Sequence, residues 1–279
     1  MKNILIGLSA LALAATPAHA VLIYGVDTGN NLIQFDSATP GTTLSTVGIS
    51  GLGGNSLLAI DLRVRDGLIY GLTDKKSVVT INPFSGMTSL ILDVAVTGNS
   101  FAFDFNPTNT NLRIVSEDDS NYFVRFNAPP IALVQQANAA YAPAAGLANP
   151  DIVSAAYTFN DNNPATGTTL FVLDSANDVL ATLNVATGAL TKVGDLGVNI
   201  GAGTSFDIFG ANTGFVQAGD SFYGINLASG ALSIIGNTDR RLIGITAVPE
   251  PAAVTMLIAA FGAAAGLSRR RRQPKAVAA

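Results

Sequence analysis

Three aspartates stand at one recurring position of a repeated strand pattern: Asp61 in Ala-Ile-Asp-Leu, Asp104 in Ala-Phe-Asp-Phe and Asp207 in Ser-Phe-Asp-Ile. Thr158 and Thr246 fill that position in two further strands. If these five strands surround an axis, their side chains make a partly acidic axial ring. Three carboxylates there could take Ca²⁺, a hard cation that prefers oxygen ligands. Two of them at a set separation could serve a glycosidase or lyase. The plainer use is structural. Each carboxylate accepts hydrogen bonds from the next repeat, because one residue type at one repeat position is what structural repetition produces.

Other candidates are weaker. Glu117-Asp118-Asp119 lacks the spacing of a calcium-binding EF-hand loop. It reads as a solvated hairpin tip, with Arg113 and Arg125 as local ion-pair partners. Tyr24, Tyr70 and Tyr223 occupy repeat positions, which suits packing between repeats better than a sugar platform. Gly51-Leu-Gly-Gly54 precedes no helix, so it is no phosphate cradle.

The absences narrow the chemistry further. The chain has no cysteine and no tryptophan, and its one histidine is His19. Residues 21–248 therefore hold no disulfide, no thiol nucleophile, no Ser-His-Asp triad and no histidine zinc site. We expect no enzymatic activity and no resident cofactor unless the ring takes Ca²⁺. Of 15 Lys and Arg, six lie in the end segments, as does one of 19 acids, so residues 21–248 hold nine bases against 18 acids. That balance argues against nucleic acid, which needs a basic footprint.

The elements that would position the ring repeat about every 45 residues. Strands starting near 22, 68, 112, 170 and 214 share a Leu-Ile-Tyr-Gly-like pattern. Each is followed by a second strand and a tight turn. Asn82-Pro-Phe-Ser-Gly86, Asn184-Val-Ala-Thr-Gly188 and Asn226-Leu-Ala-Ser-Gly230 share one turn chemistry, an Asx side chain and a positive-φ glycine. Asp36 to Gly41 carries one extra proline, and Asn127 to Ile131 breaks the pattern where an Ala/Pro-rich insertion, Pro129 to Pro150, begins. A third strand follows each turn, and a leading strand precedes each unit except the first. One strand is left over, Arg241 to Val248. We expect an all-β fold, a single propeller of five four-stranded blades, with that last strand completing the first blade and removing the open edges. A two-sheet sandwich is the alternative.

The ends read as addresses. Lys2, the apolar run Ile4 to Ala15 and Ala18-His19-Ala20 make a signal peptide over 1–20 with cleavage before Val21. Pro249-Glu250-Pro251, the apolar run Ala252 to Leu267 and Arg269-Arg270-Arg271-Arg272 follow the repeats. The run predicts a short transmembrane helix, with the arginines on the cytoplasmic side. This three-part tail over 249–273, ahead of a 274–279 remnant, resembles the PEP-CTERM sorting signal of Gram-negative bacteria. The resemblance implies an exosortase as processing partner, transient inner-membrane anchoring, and delivery to the outer surface or outside in an organism that makes exopolysaccharide.

Residues 21–248 also resemble a bacterial domain-of-unknown-function family, number 4394. The resemblance is carried by Ser56 to Asp61, Gly67 to Leu72, Phe101-Ala-Phe-Asp-Phe-Asn-Pro107 and Leu112-Arg-Ile-Val-Ser116. Asn121-Tyr-Phe-Val-Arg125 departs from the family pattern. The family supports the propeller and supplies no catalytic residues. The function expected is a secreted or cell-surface structural or binding protein associated with exopolysaccharide or biofilm matrix. The alternative is a carboxylate-dependent glycosidase or lyase on the same propeller.

Overall fold

The computed structural model describes residues 20–161 and 163–248. Ala18, Pro249, Glu250, Pro251 and Arg269 to Arg272 lie outside them, as do the expected span and nearly all of the signal peptide. No described helix is long and apolar enough to cross a membrane.

Five sheets stand around one axis. Blade 1 holds β1 (Leu22–Asp27), β2 (Asn31–Asp36) and β3 (Thr43–Gly48). Blade 2 holds β4 (Leu57–Arg63), β5 (Leu68–Thr73), β6 (Ser77–Ile81) and β7 (Thr88–Asp93). Blade 3 holds β8 (Phe101–Phe105), β9 (Leu112–Ser116), β10 (Asn121–Arg125) and β11 (Ala132–Gln135). A short strand, β12 (Ala140–Tyr141), leads to blade 4, made of β13 (Ile152–Tyr157), β14 (Leu170–Asp174), β15 (Val179–Leu183) and β16 (Ala189–Asp195). Blade 5 holds β17 (Ser205–Phe209), β18 (Thr213–Ala218), β19 (Ser221–Ile225) and β20 (Leu232–Asn237). The final strand, β21 (Leu242–Ala247), pairs antiparallel with β1 through Ile23↔Ala247, Tyr24↔Thr246 and Gly25↔Ile245, and so becomes the inner strand of blade 1. The five-bladed closure expected from the spare strand is the architecture found.

The inner strands β21, β4, β8, β13 and β17 each pack against two neighbours, which completes the ring. They are apolar runs because both faces are covered: Phe101–Phe105 and Ile152–Tyr157 are buried throughout. The outer strands β3, β7 and β20 carry Ser and Thr among their apolar residues and stay largely in contact with solvent. Five apolar cores fill the five seams between blades. In the seam of blades 5 and 1, Phe35 meets Phe222 edge-on at 5.3 Å and Phe215 stacks on Phe222 at 5.4 Å.

The turn glycines do more than turn the chain. Gly86 has φ +70°, and a Cβ there would lie 2.1 Å from the Gly48 carbonyl oxygen of blade 1. Gly188 meets the Asn138 carbonyl in the same way, beside blade 3. The repeated glycine therefore serves both the positive φ and the backbone-to-backbone contact of successive blades. The Ala/Pro-rich insertion also has a use. It supplies β11, then β12, which adds to the outer edge of blade 4 as a parallel fifth strand, pairing Ala140 with Ala189 and Tyr141 with Leu190.

Candidate functional site

The structure brings Asp61, Asp104 and Asp207 together. One carboxylate oxygen from each lies within 4.8 Å of the others, and the residues are 2%, 4% and 3% exposed. Each aspartate sits on an inner strand and accepts from the inner strand of the next blade. Asp61 Oδ2 accepts from Phe105 N at 2.8 Å, Asp104 Oδ2 from Tyr157 N at 2.6 Å, and Asp207 Oδ2 from Ala247 N at 2.5 Å. Thr246 makes the equivalent tie with a hydroxyl, its Oγ1 accepting from Leu62 N at 3.0 Å and donating to Asp61 Oδ1 at 3.0 Å.

Blade 4 departs from the expected ring. The residue preceding the donor Tyr157 is Ala156, which has no side chain to offer, and Thr158 lies past the strand end. Thr158 Oγ1 instead accepts from Thr169 N at 3.0 Å within its own blade. Ser154, two residues before Ala156, still makes a tie to the next blade. Its Oγ accepts from Phe206 N at 2.9 Å, and Ser205 Oγ does the same for Ile245 N at 2.8 Å. Sequence reasoning missed both serines. The available signal was a small hydroxyl two residues before the ring position.

Crowding three acids away from water sets their protonation. Burial, then the charge of Asp61, pushes Asp207 up to about 8. Burial, then the charges of Asp61 and Asp207, holds Asp104 well above the usual carboxylate range. Burial raises Asp61 too, but hydrogen bonds from Asp104, Phe105 N, Thr246 and Leu62 N oppose it. A hydrogen bond between two carboxyls needs a proton on one of them, and Asp104 is the better holder. The oxygens of the cluster are the right kind for Ca²⁺, though each aspartate already spends at least one on a backbone N–H. A cavity of about 260 Å³ opens among the inner strands, lined by Leu57, Phe101, Ser154 and Ser205 among others; none of the three aspartates lines it.

The remaining candidates fall into structural roles. Glu117-Asp118-Asp119 is a fastening, where a solvated tip was expected. Glu117 accepts from Asn99 N at 2.6 Å and Ser100 N at 2.8 Å, and Asp118 accepts from Ser116, Thr97 and Ser120. Burial opposes ionisation of Asp118, but those hydroxyls hold it down at about 2. Tyr24 and Tyr70 are buried in the seams, and Tyr70 meets Phe105 edge-on at 4.8 Å. Arg113 does not pair with the acidic turn. Its Nη1 donates to Asn121 Oδ1 at 2.7 Å, Gln136 Oε1 at 2.6 Å and Tyr122 O at 3.3 Å. Register explains this: Arg113 lies between Asp104 and Phe123 on the face of blade 3 that meets blade 4, away from the turn.

Residues 31–246 match the family described as Domain of unknown function (DUF4394), and residues 247–272 match the PEP-CTERM protein-sorting motif. No curated protein matches the chain. Among solved structures, a protein of unknown function from Bacteroides thetaiotaomicron VPI-5482 is similar at 12% identity and TM-score 0.49, over 71% of this chain and 54% of its own. The chain thus spans about half the length of that protein. A chain of a nidogen/laminin complex is similar at 11% identity and TM-score 0.45, over 82% of this chain and 98% of its own. Neither likeness bears on what this chain does.

Proposed function

The chain belongs to the DUF4394 family of unknown function, and from that premise we propose that it is a non-enzymatic surface or matrix scaffold that associates with exopolysaccharide. The PEP-CTERM motif implies recognition by an exosortase and export to the cell envelope or surface. In our reading a signal peptide ends at Ala20, residues 252–267 anchor the precursor in the inner membrane, and processing near Glu250 releases the propeller. The observation that carries the non-enzymatic reading is the ring. Its three acids are out of water and spend oxygens on the backbone of the next blade, which supports a tie in preference to an acid–base pair. The same bonds favour proton sharing over a resident Ca²⁺.

A carboxylate-dependent glycosidase or lyase is the second reading. It draws support from carboxyl oxygens within 4.8 Å of one another, near the roughly 5–5.5 Å of retaining glycosidases. It requires the inner strands to part for a sugar. A glycan-binding array and a hydrolysis screen on the wild type and Asp104→Asn separate the two. We expect binding without turnover in both proteins. Glycan turnover lost in Asp104→Asn would replace the scaffold with the enzyme.

A further inference from the structure

Between blades 3 and 4 lies a polar chamber that the ring does not use. It is a cavity of about 180 Å³ lined by Asn106, Asn111, Arg113, Phe123, Gln136 and Tyr157. Arg113 is 6% exposed, yet among the described residues it makes no ion pair, although Asp104 is its cross-strand neighbour. All three of its hydrogen bonds leave from Nη1. Its Nε is buried without a partner, and so are the Tyr157 hydroxyl and Asn111 Oδ1. Tyr157 is 4% exposed. The Phe123 ring centroid lies 5.5 Å from the guanidinium carbon.

A buried cation with no counter-ion is rare, and buried unpaired donors are costly. The edge formed by Nε and Nη2 is the one that grips a carboxylate with two parallel bonds. Asn121 fixes that edge. Its Oδ1 holds Nη1 while its Nδ2 donates to Val185 O of blade 4 and Ala137 O, both at 3.1 Å. The chamber shares Asn106, Tyr157 and Val185 with a second cavity of about 530 Å³, walled by Thr169, Thr182, Asn184 and Thr191. A charged chamber thus continues into a hydroxyl- and amide-rich groove.

We propose that this inter-blade cleft binds a carboxylate-bearing sugar, a uronate, with the carboxylate on Arg113 and Tyr157 and the ring hydroxyls along the threonine-lined groove. The proposal rests on the polysaccharide-binding reading for its ligand class and adds the place and the charge.

The test is calorimetric titration of the full chain in detergent micelles. The probes are D-glucuronate and D-galacturonate, with glucose and galactose as neutral controls and acetate as the bare anion. We expect uronate binding at least about tenfold tighter than the neutral sugars, the scale of one charge-assisted contact, and weaker binding of acetate. Arg113→Gln should abolish the difference. Because Arg113 also ties three groups of blade 3 and its flank, loss of stability in that variant alone does not decide the matter. Tyr157→Phe deletes a hydroxyl that sits near Arg113 and Asn106 but has no well-formed hydrogen bond in the free protein. It should keep the wild-type melting temperature and lose uronate affinity several-fold. Uronate and neutral sugars binding alike would overturn the proposal, as would Tyr157→Phe binding uronate like the wild type. So would a chamber that takes up no probe and holds only water. Acetate binding as tightly as uronate would overturn the sugar half. If polymer binding on a glycan array survives both variants, the cleft is wrong and the scaffold stands; if no glycan of any charge binds, the scaffold reading falls as well.

Discussion

At pH 5, exchanging one ring aspartate for asparagine should be nearly silent, and exchanging its neighbour should not. Asp61 accepts on both oxygens: Leu62 N at 2.7 Å and Thr246 Oγ1 at 3.0 Å on Oδ1, Phe105 N at 2.8 Å on Oδ2. An amide there must turn its NH₂ toward a donor, which costs ~1–3 kcal/mol for a buried mispaired group. Asp104 spends Oδ2 on Tyr157 N and has a carboxyl oxygen within 4.8 Å of Asp61 and Asp207. Asparagine reproduces that arrangement, with its oxygen on Tyr157 and its NH₂ toward Asp61. The pH dependence follows from the direction of the shifts. Asp104 and Asp207 have folded pKa values above the ordinary 3.8, Asp207 at about 8. Their contribution is therefore complete below about pH 4 and is lost as pH rises toward 8. Each proton held only by the folded state gives a slope of about 1.4 kcal/mol per pH unit, or roughly 3 kcal/mol between pH 5 and 7.

Few other groups confuse that window. Residues 21–248 have no histidine or cysteine. Asp27, Asp118 and Asp239 are held below the ordinary value and are ionised in both states there. Asp119 is half-buried and raised, and it adds a smaller slope of the same sign. Urea unfolding followed by far-ultraviolet circular dichroism, at pH 5 to 8, reads the result. Wild type should lose stability across the range. Asp104→Asn should match it at pH 5 and exceed it at pH 8, and Asp61→Asn should fall below it throughout. A wild type that is flat from pH 5 to 7, or an Asp104→Asn slope equal to wild type, would refute proton sharing in the ring.

Three further outcomes can be measured. Chelator should leave the wild-type melting temperature unchanged; a drop in wild type much larger than in Asp104→Asn would put Ca²⁺ in the ring. Gly53→Ala should cost ~1–2 kcal/mol for its positive φ alone, because nothing lies within 4 Å of its Cβ. Gly86→Ala adds a contact at 2.1 Å with the Gly48 carbonyl and should exceed ~3 kcal/mol; equal losses in denaturant melts would remove the inter-blade role of that glycine. Glu250→Ala, or removal of Arg269 to Arg272, should leave the domain folded but retained in the inner membrane. Mass spectrometry of released protein decides it, since secreted material still carrying 252–267 would mean that the tail is not processed.

Much of this architecture was legible from residue types. The Asx-to-Gly turns and the Tyr-Gly strands counted the blades, and the unpaired strand at 242–247 implied the closure. The ring aspartates were legible because a charged residue inside an apolar strand has few places to go. What failed were substitutions that carry no such mark. Ala156 replaces an acid silently, and Thr158 looks like a polar stand-in while lying past the strand end. Ser154 and Ser205 are too common a residue type to stand out. Arg113 was read by its sequence neighbours, Glu117 to Asp119, whereas strand register turns it toward Phe123 and the next blade. The insertion gave no strand signal because proline and alanine hide β11 and β12 between them.

The closing strand also fixes when the ring can be completed and where it bears load. A chain threaded across a membrane from its N-terminus delivers β21 last, so β1 waits without an inner partner until nearly the whole domain has crossed. Only two peptide units, at most ~7 Å of chain, separate Ala247 from Pro249. Tension applied beyond Val248 therefore falls first on the β1–β21 ladder. The strand that locks the propeller is therefore also the first to bear any load applied from the C-terminal side.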